Sequence, residues 1–242
     1  MARIDKKNIL SGALGNLVFR NLDGNQIVQS HPGSVKQTEA TQASGSEFRQ
    51  CSHWAKLLRI GLSRFIDKQT DSYMFSRFTG AVYKAIQKNL TLPKGQRTPL
   101  NSDMSSLVGF EFNTHSPFST YCTVPIQVTA NPDRTVTVTI PEFLPKTAIV
   151  FPEKCTDADL LVYVYATDFT TIGILENNYF TLPLSKYSNS PETVWTSPVL
   201  PEHYLVLVVA RLVYKQNNRF SGDYCINSKE LNPAMVVFVD NV

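Results

Sequence analysis

The chain carries four cysteines and four histidines, and the first question is whether any are spaced for chemistry. Cys51, Cys122, Cys155 and Cys225 are scattered, with no C-x-x-C pair. A zinc site draws on close ligand pairs and a disulfide framework on a denser set, so these read as buried or idle thiols that fill space as small hydrophobes. His31, His53, His115 and His203 fall in no H-x-x-x-H or H-E-x-x-H pattern. His53 beside Trp54 reads as packing, and His115 lacks metal-ligand spacing to Cys122 or Cys155. Asp157 and Asp159 precede a long apolar run and read as a polar lead-in, not the opposed acids of glycoside chemistry. Asp103, Asp133 and Asp223 sit in loop-like sequence without the D-x-D-x-D-G order of a calcium loop. Ser44-Gly45-Ser46 lies in a polar linker, where a nucleophile elbow requires a preceding strand. Gly12-Ala13-Leu14-Gly15 is too short for a phosphate loop; its glycines suit a tight path or a close backbone approach. The expectation is a non-enzymatic protein with no catalytic, cofactor-binding or metal-ligating residues and no cofactor.

Binding chemistry is better represented. Residues 1–100 hold 15 Lys/Arg against 6 Asp/Glu, whereas residues 101–242 hold 8 against 14. A basic front and an acidic back suit a polyanionic partner, or the front of one copy meeting the back of another. Lys56, Arg59, Arg64, Lys68, Arg77, Lys84 and Lys88 would form a basic helical face, the basis of an alternative reading as a nucleic-acid-binding protein. The interleaved aromatics fall at helical core spacing and no reader motif is present, which makes nucleic acid the weaker partner. Tyr179, Tyr187, Trp195 and Tyr204 lie in or near loops and support a second alternative, a carbohydrate- or surface-binding β-sandwich module.

The elements that must position these residues fall into three parts. Residues 1–45 read as an arm: strands over 17–21 and 26–30, an Asp23-Gly24 turn between them, a His31-Pro32-Gly33 stop, then an extended polar linker. Residues 46–92 read as an αα-hairpin. Phe48, Cys51, Ala55, Leu58, Leu62 and Phe65 make one helical stripe capped by Ser44 or Ser46. A second helix over about 71–90 is capped by Asp71 or Ser72 and buries Met74, Phe78, Val82 and Ile86. A domain boundary is expected in the Pro- and Gly-containing stretch that follows. Residues 105–242 read as all-β: Val136, Val138 and Ile140 alternate with threonines, and residues 160–169 and 203–215 are long apolar runs suited to strands buried on both sides. The fold class is α+β, with an N-terminal β-hairpin arm, an αα-hairpin and a C-terminal antiparallel β-sandwich of Ig-like type.

The segments "GALGNLVFRNLDGNQIVQS", "HPGSVKQTEATQASGSEF" and "RQCSHWAKLLR", with the later "LVGFEFNTHSP" and "LLVYVYATDF", resemble a family of uncharacterised Bacteroidota proteins with a glycine-spaced N-terminal hairpin, a helical segment and a C-terminal β-domain. The resemblance implies no enzymatic activity and no site residue. It implies a layout similar to small structural and surface-assembly proteins, some in phage-like settings.

A hairpin on a polar linker cannot bury its own apolar residues. Val18, Phe19, Ile27 and Val28 need a partner surface, and strand addition to a neighbouring copy supplies one. The expected function is therefore that of a structural protein that self-associates through its N-terminal β arm into a filament or part of a phage-like particle. The partners expected are other copies of itself and further structural proteins. No apolar run of signal-peptide or membrane-spanning length is present, so a soluble protein is expected, cytoplasmic or within an assembled particle.

Overall fold

The computed structural model describes all residues except 1, 6–7, 23–24, 32, 34–35, 68, 171–177, 219–221 and 242. Two compact units divide the chain, residues 1–42 and 43–242.

The first unit is a four-stranded antiparallel sheet in the order β1(Arg3–Ile4), β2(Leu10–Leu14), β3(Leu17–Leu22), β4(Asn25–Ser30). The two strands read from the sequence are β3 and β4; β1 and β2 extend the expected hairpin. Strand β2 is Leu-Ser-Gly-Ala-Leu, whose small residues carry little strand propensity. It is held by its pairing to β3, with Leu14 opposite Leu17. Gly15 between them takes a φ of 56°, the left-handed conformation a tight two-residue turn requires. The Asp23-Gly24 turn and Pro32 lie outside the described residues.

Helix α1 runs Glu39–Ile66. It starts well before the expected Ser44 or Ser46 cap, so the second half of the anticipated linker is helical. The Thr38 hydroxyl accepts the Thr41 N–H at 3.3 Å, and Glu39 sits in the first turn, so the cap and a favourable helix-dipole charge come about two turns early. Ser44, Gly45 and Ser46 are poor helix formers, which is why the sequence reads as unfolded there. Helix α2 runs Met74–Gln87; Asp71 accepts the Tyr73 N–H at 2.9 Å just ahead of it. Contacts between the helices run in antiparallel order: Phe48 with Tyr83, the Cys51 thiol with the Thr79 carbonyl, and Arg59 over the Phe75 ring.

The large sheet is built on β10(Leu205–Asn218), which pairs along one side with β7(Asp157–Thr167) and then β8(Tyr179–Ser185). Its other side is shared by β11(Gly222–Cys225) and β12(Ala234–Asn241). A second sheet comprises β5(Gln127–Ala130), β6(Val136–Ile140) and β9(Thr193–Thr196). Both sheets are antiparallel throughout, as the α+β reading expects.

Two cores meet at the large sheet. Val206, Val208, Ala210, Leu212 and Tyr214 of β10, with Leu160, Val162 and Val164, share one core with Val136, Val138 and Ile140 of the small sheet. Leu205, Leu207 and Val209, with Tyr163 and Tyr165, share the other with Leu58 and Leu62 of α1 and Phe78 and Val82 of α2. The continuous apolar runs of β7 and β10 thus follow from burial on both faces. Helices cover a sheet face that a free-standing sandwich leaves to solvent. The stretch anticipated as a domain boundary instead folds back onto α1: Lys94 donates to the Ser44 hydroxyl and the Gly95 N–H to the buried Glu47 carboxylate. The helices and sheets therefore share one core across the expected seam at residues 92–105.

Candidate assembly interface

Register fixes what each face of the N-terminal sheet presents. Phe19 pairs with Val28 on one side and Gly12 on the other, and Leu17 pairs with Leu14 and Ser30. Side chains alternate between faces, so Leu10, Leu14, Leu17, Phe19 and Val28 share one face. Ala13, Val18, Leu22 and Ile27 share the other. Of the four arm residues expected to act together, Phe19 and Val28 are direct cross-strand partners. Val18 and Ile27 lie on the reverse face, paired with Gln29 and Arg20. The sequence reading missed Leu10, Leu14 and Leu17; the every-second-residue spacing of Leu10, Gly12 and Leu14 was the available signal.

Among the described residues of this unit, no side chain is buried. Leu14, Leu22 and Val28 are 62%, 60% and 51% exposed, and Leu17 and Ile27 are exposed as well. A small sheet with apolar residues on both faces and no buried side chain among its described residues lacks the burial that normally stabilises such an element.

The two edges differ. Strand β1 covers only Leu10 and Ser11 of β2, and it carries Arg3. Strand β4 is six residues, Asn-Gln-Ile-Val-Gln-Ser, with no charge and no proline, the guards that usually blunt a free edge. Its backbone polarity follows from the ladder. The His31 N–H donates to the Asn16 carbonyl at 2.6 Å, and alternate pairs of an antiparallel ladder are hydrogen-bonded. The bonded pairs of β3 and β4 are then Val18–Gln29, Arg20–Ile27 and Leu22–Asn25, and the N–H and C=O groups of Gln26, Val28 and Ser30 point away from β3.

The basic helical face is divided. Lys56, Arg64, Lys84 and Lys88 are exposed. Arg77 pairs with the buried Asp71 and lies over the Phe110 ring. Arg59 lies 4.1 Å from the centre of the Phe75 ring and donates to the Ala55 carbonyl. Lys68 lies outside the described residues. Arg59 and Arg77 are thus engaged within the helical pair, and Lys56, Arg64, Lys84 and Lys88 are the charges left exposed.

In the β-region, Tyr179 and Tyr187 are exposed, while Trp195 stacks on Phe180 and Tyr204 packs against the inter-sheet core. Two of the four aromatics are therefore exposed and two are engaged in packing. Cys51, Cys122 and Cys155 are buried and Cys225 is exposed. Burial, with the Glu47 charge, pushes the Cys51 thiol up to about 12, and burial pushes Cys122 up to about 11. Asp159 is ion-paired to Lys215 at 2.6 Å, and His115 lies 3.7 Å from Glu230. Among the described residues no group of three or more His, Cys, Asp or Glu could hold a metal ion, and no helix is long and apolar enough to cross a membrane.

No protein-family model matches the chain, and no curated protein matches it.

Proposed function

We propose that this chain is a non-enzymatic structural protein that self-associates through its N-terminal β arm, as a unit of a filament or of a phage-like particle. One observation carries the reading: the arm is a four-stranded sheet that exposes leucine, isoleucine and valine while burying no described side chain. Apolar area of this kind gains about 1.5–3 kcal/mol per large side chain once covered, and a neighbouring copy offers a matching surface. The Bacteroidota family resemblance agrees with an assembly role. In this reading the paired antiparallel sheets, taken as an Ig-like sandwich, form the body that the arms connect.

The test is deletion of residues 1–35, with the mass of full-length and truncated protein followed by light scattering over a concentration series. The full-length protein is expected to associate and the truncated one to remain a folded monomer. A monomeric full-length protein at high concentration overturns the reading, and so does a truncated chain that unfolds, because the arm would then serve its own chain.

A further inference from the structure

We infer that the surface recognised by each arm is the same edge of a second arm: two copies of β4 pair antiparallel about Val28. The inference rests on the self-association reading and specifies its geometry.

Three features of β4 lead to it. First, among the described residues it is the arm edge that offers an extended row of outward backbone groups. Gln26, Val28 and Ser30 all point theirs away from β3, by the alternation that the His31–Asn16 hydrogen bond fixes. On the opposite side, β1 occupies Leu10 and Ser11, and the alternation leaves outward groups only at Ala13. Second, nothing on β4 opposes pairing, because Asn25–Ser30 contains neither charge nor proline. Third, the edge is complementary to itself. Outward groups must meet outward groups, so an antiparallel twofold pairing centred on Val28 sets Val28 against Val28 and Gln26 against Ser30. This gives three hydrogen-bonded pairs, about six backbone hydrogen bonds.

That register also continues the apolar face. Gly12, Phe19 and Val28 already form one cross-strand row, and the pairing extends it as Gly12–Phe19–Val28–Val28–Phe19–Gly12 across six strands, β2 to β4 of each copy. Such a contact is isologous: the same patch is used by both partners, and it closes at two copies. A longer assembly then requires a second contact elsewhere on the molecule.

The experiment uses the full chain. Val28→Pro removes an outward N–H while leaving the bonded pairs to β3 in place, and Ser30→Pro does the same at the strand end. Both are expected to raise the dissociation constant at least about tenfold. Val28→Cys, in a Cys225→Ser background that removes the exposed thiol, is expected to form an intermolecular disulfide on mild oxidation. Directly paired residues lie about 5.5 Å apart at Cα, within disulfide reach. Ala13→Cys, on the opposite edge, is expected to stay reduced. Association that persists unchanged in both proline variants, or cross-linking at residue 13 and not at 28, overturns the edge pairing while leaving arm-mediated association standing. A full-length protein that does not associate overturns both.

Discussion

Tyr165 occupies the space that a side chain at residue 61 would need: a Cβ on Gly61 would lie 2.1 Å from Cζ of the Tyr165 ring. Gly61 is thus a point of close approach between α1 and the large sheet. Tyr165 is 1% exposed, so its ring has no free space to enter. Gly61→Ala should destabilise residues 43–242 by about 1–3 kcal/mol, the usual cost of overpacking, and lower the thermal midpoint by roughly 3–10 °C. Adding Tyr165→Leu to Gly61→Ala should recover part of that loss, which a double-mutant cycle measures directly.

Asn232 closes the end of α1. Its Nδ2 donates to the carbonyls of Ile66 and Gln69, both at 2.8 Å, while its Oδ1 accepts from Arg211 Nε at 2.9 Å and Asn227 Nδ2 at 3.1 Å. Arg211 also donates to the Phe65 carbonyl at 2.6 Å, placing a cation at the negative end of the helix dipole. Asn232→Ala strands these buried partners and should cost about 2–4 kcal/mol by denaturant titration. Asn21→Ala, on the exposed arm, should leave the same transition unmoved.

Acid should weaken the fold through Asp71. Burial raises the Asp71 pKa, but the hydrogen bond and charge of Arg77 and the N–H groups of Thr114 and Tyr73 outweigh it and hold it below the ordinary 3.8. A carboxylate depressed in the folded state stabilises at pH values above its unfolded pKa, and that stabilisation is lost as pH falls through the folded value. Melting curves from pH 7 to 3 should show the loss beginning as pH approaches 3.8. Asp71→Asn should be less stable at neutral pH and show a shallower acid limb.

Thiol reactivity should separate the four cysteines. Cys225 is exposed, whereas Cys51 and Cys122 are buried and held largely protonated near neutrality. Brief alkylation of the native protein should modify Cys225 first. Denaturant should release all four thiols, as peptide mass spectrometry would show.

The sequence was most legible where one period dominated. The helical stripe from Phe48 to Phe65, the alternation of β6 and the long apolar runs of β7 and β10 all correspond to elements found in the structure. It was least legible where tertiary pairing overrides propensity. Leu10–Leu14 becomes a strand because β3 pairs with it, and Ser44-Gly45-Ser46 is helical because a cap at Thr38 precedes it. The shared core across residues 92–105 was hidden for another reason: the apolar partners of the helices lie on β7, β10 and β12, far along the chain. In the arm, composition identified Phe19 and Val28 as needing a partner. Only the register showed that they face the same way and that β4 carries the open edge.

The alternation of β10 bears on which length changes the gene can tolerate. Its residues are dealt in turn to two cores of different content, one lined by helices and one by a second sheet. Removing or adding a single residue within β10 would exchange the two sets, sending Leu207 to the sheet side and Val208 to the helix side. Strand β12 absorbs one such irregularity, where the register shifts beside Val208 and Val209. Strand β10, bonded along both sides, has no comparable slack. Single-codon insertions and deletions should therefore be purged from β10 and should accumulate in the connections around it.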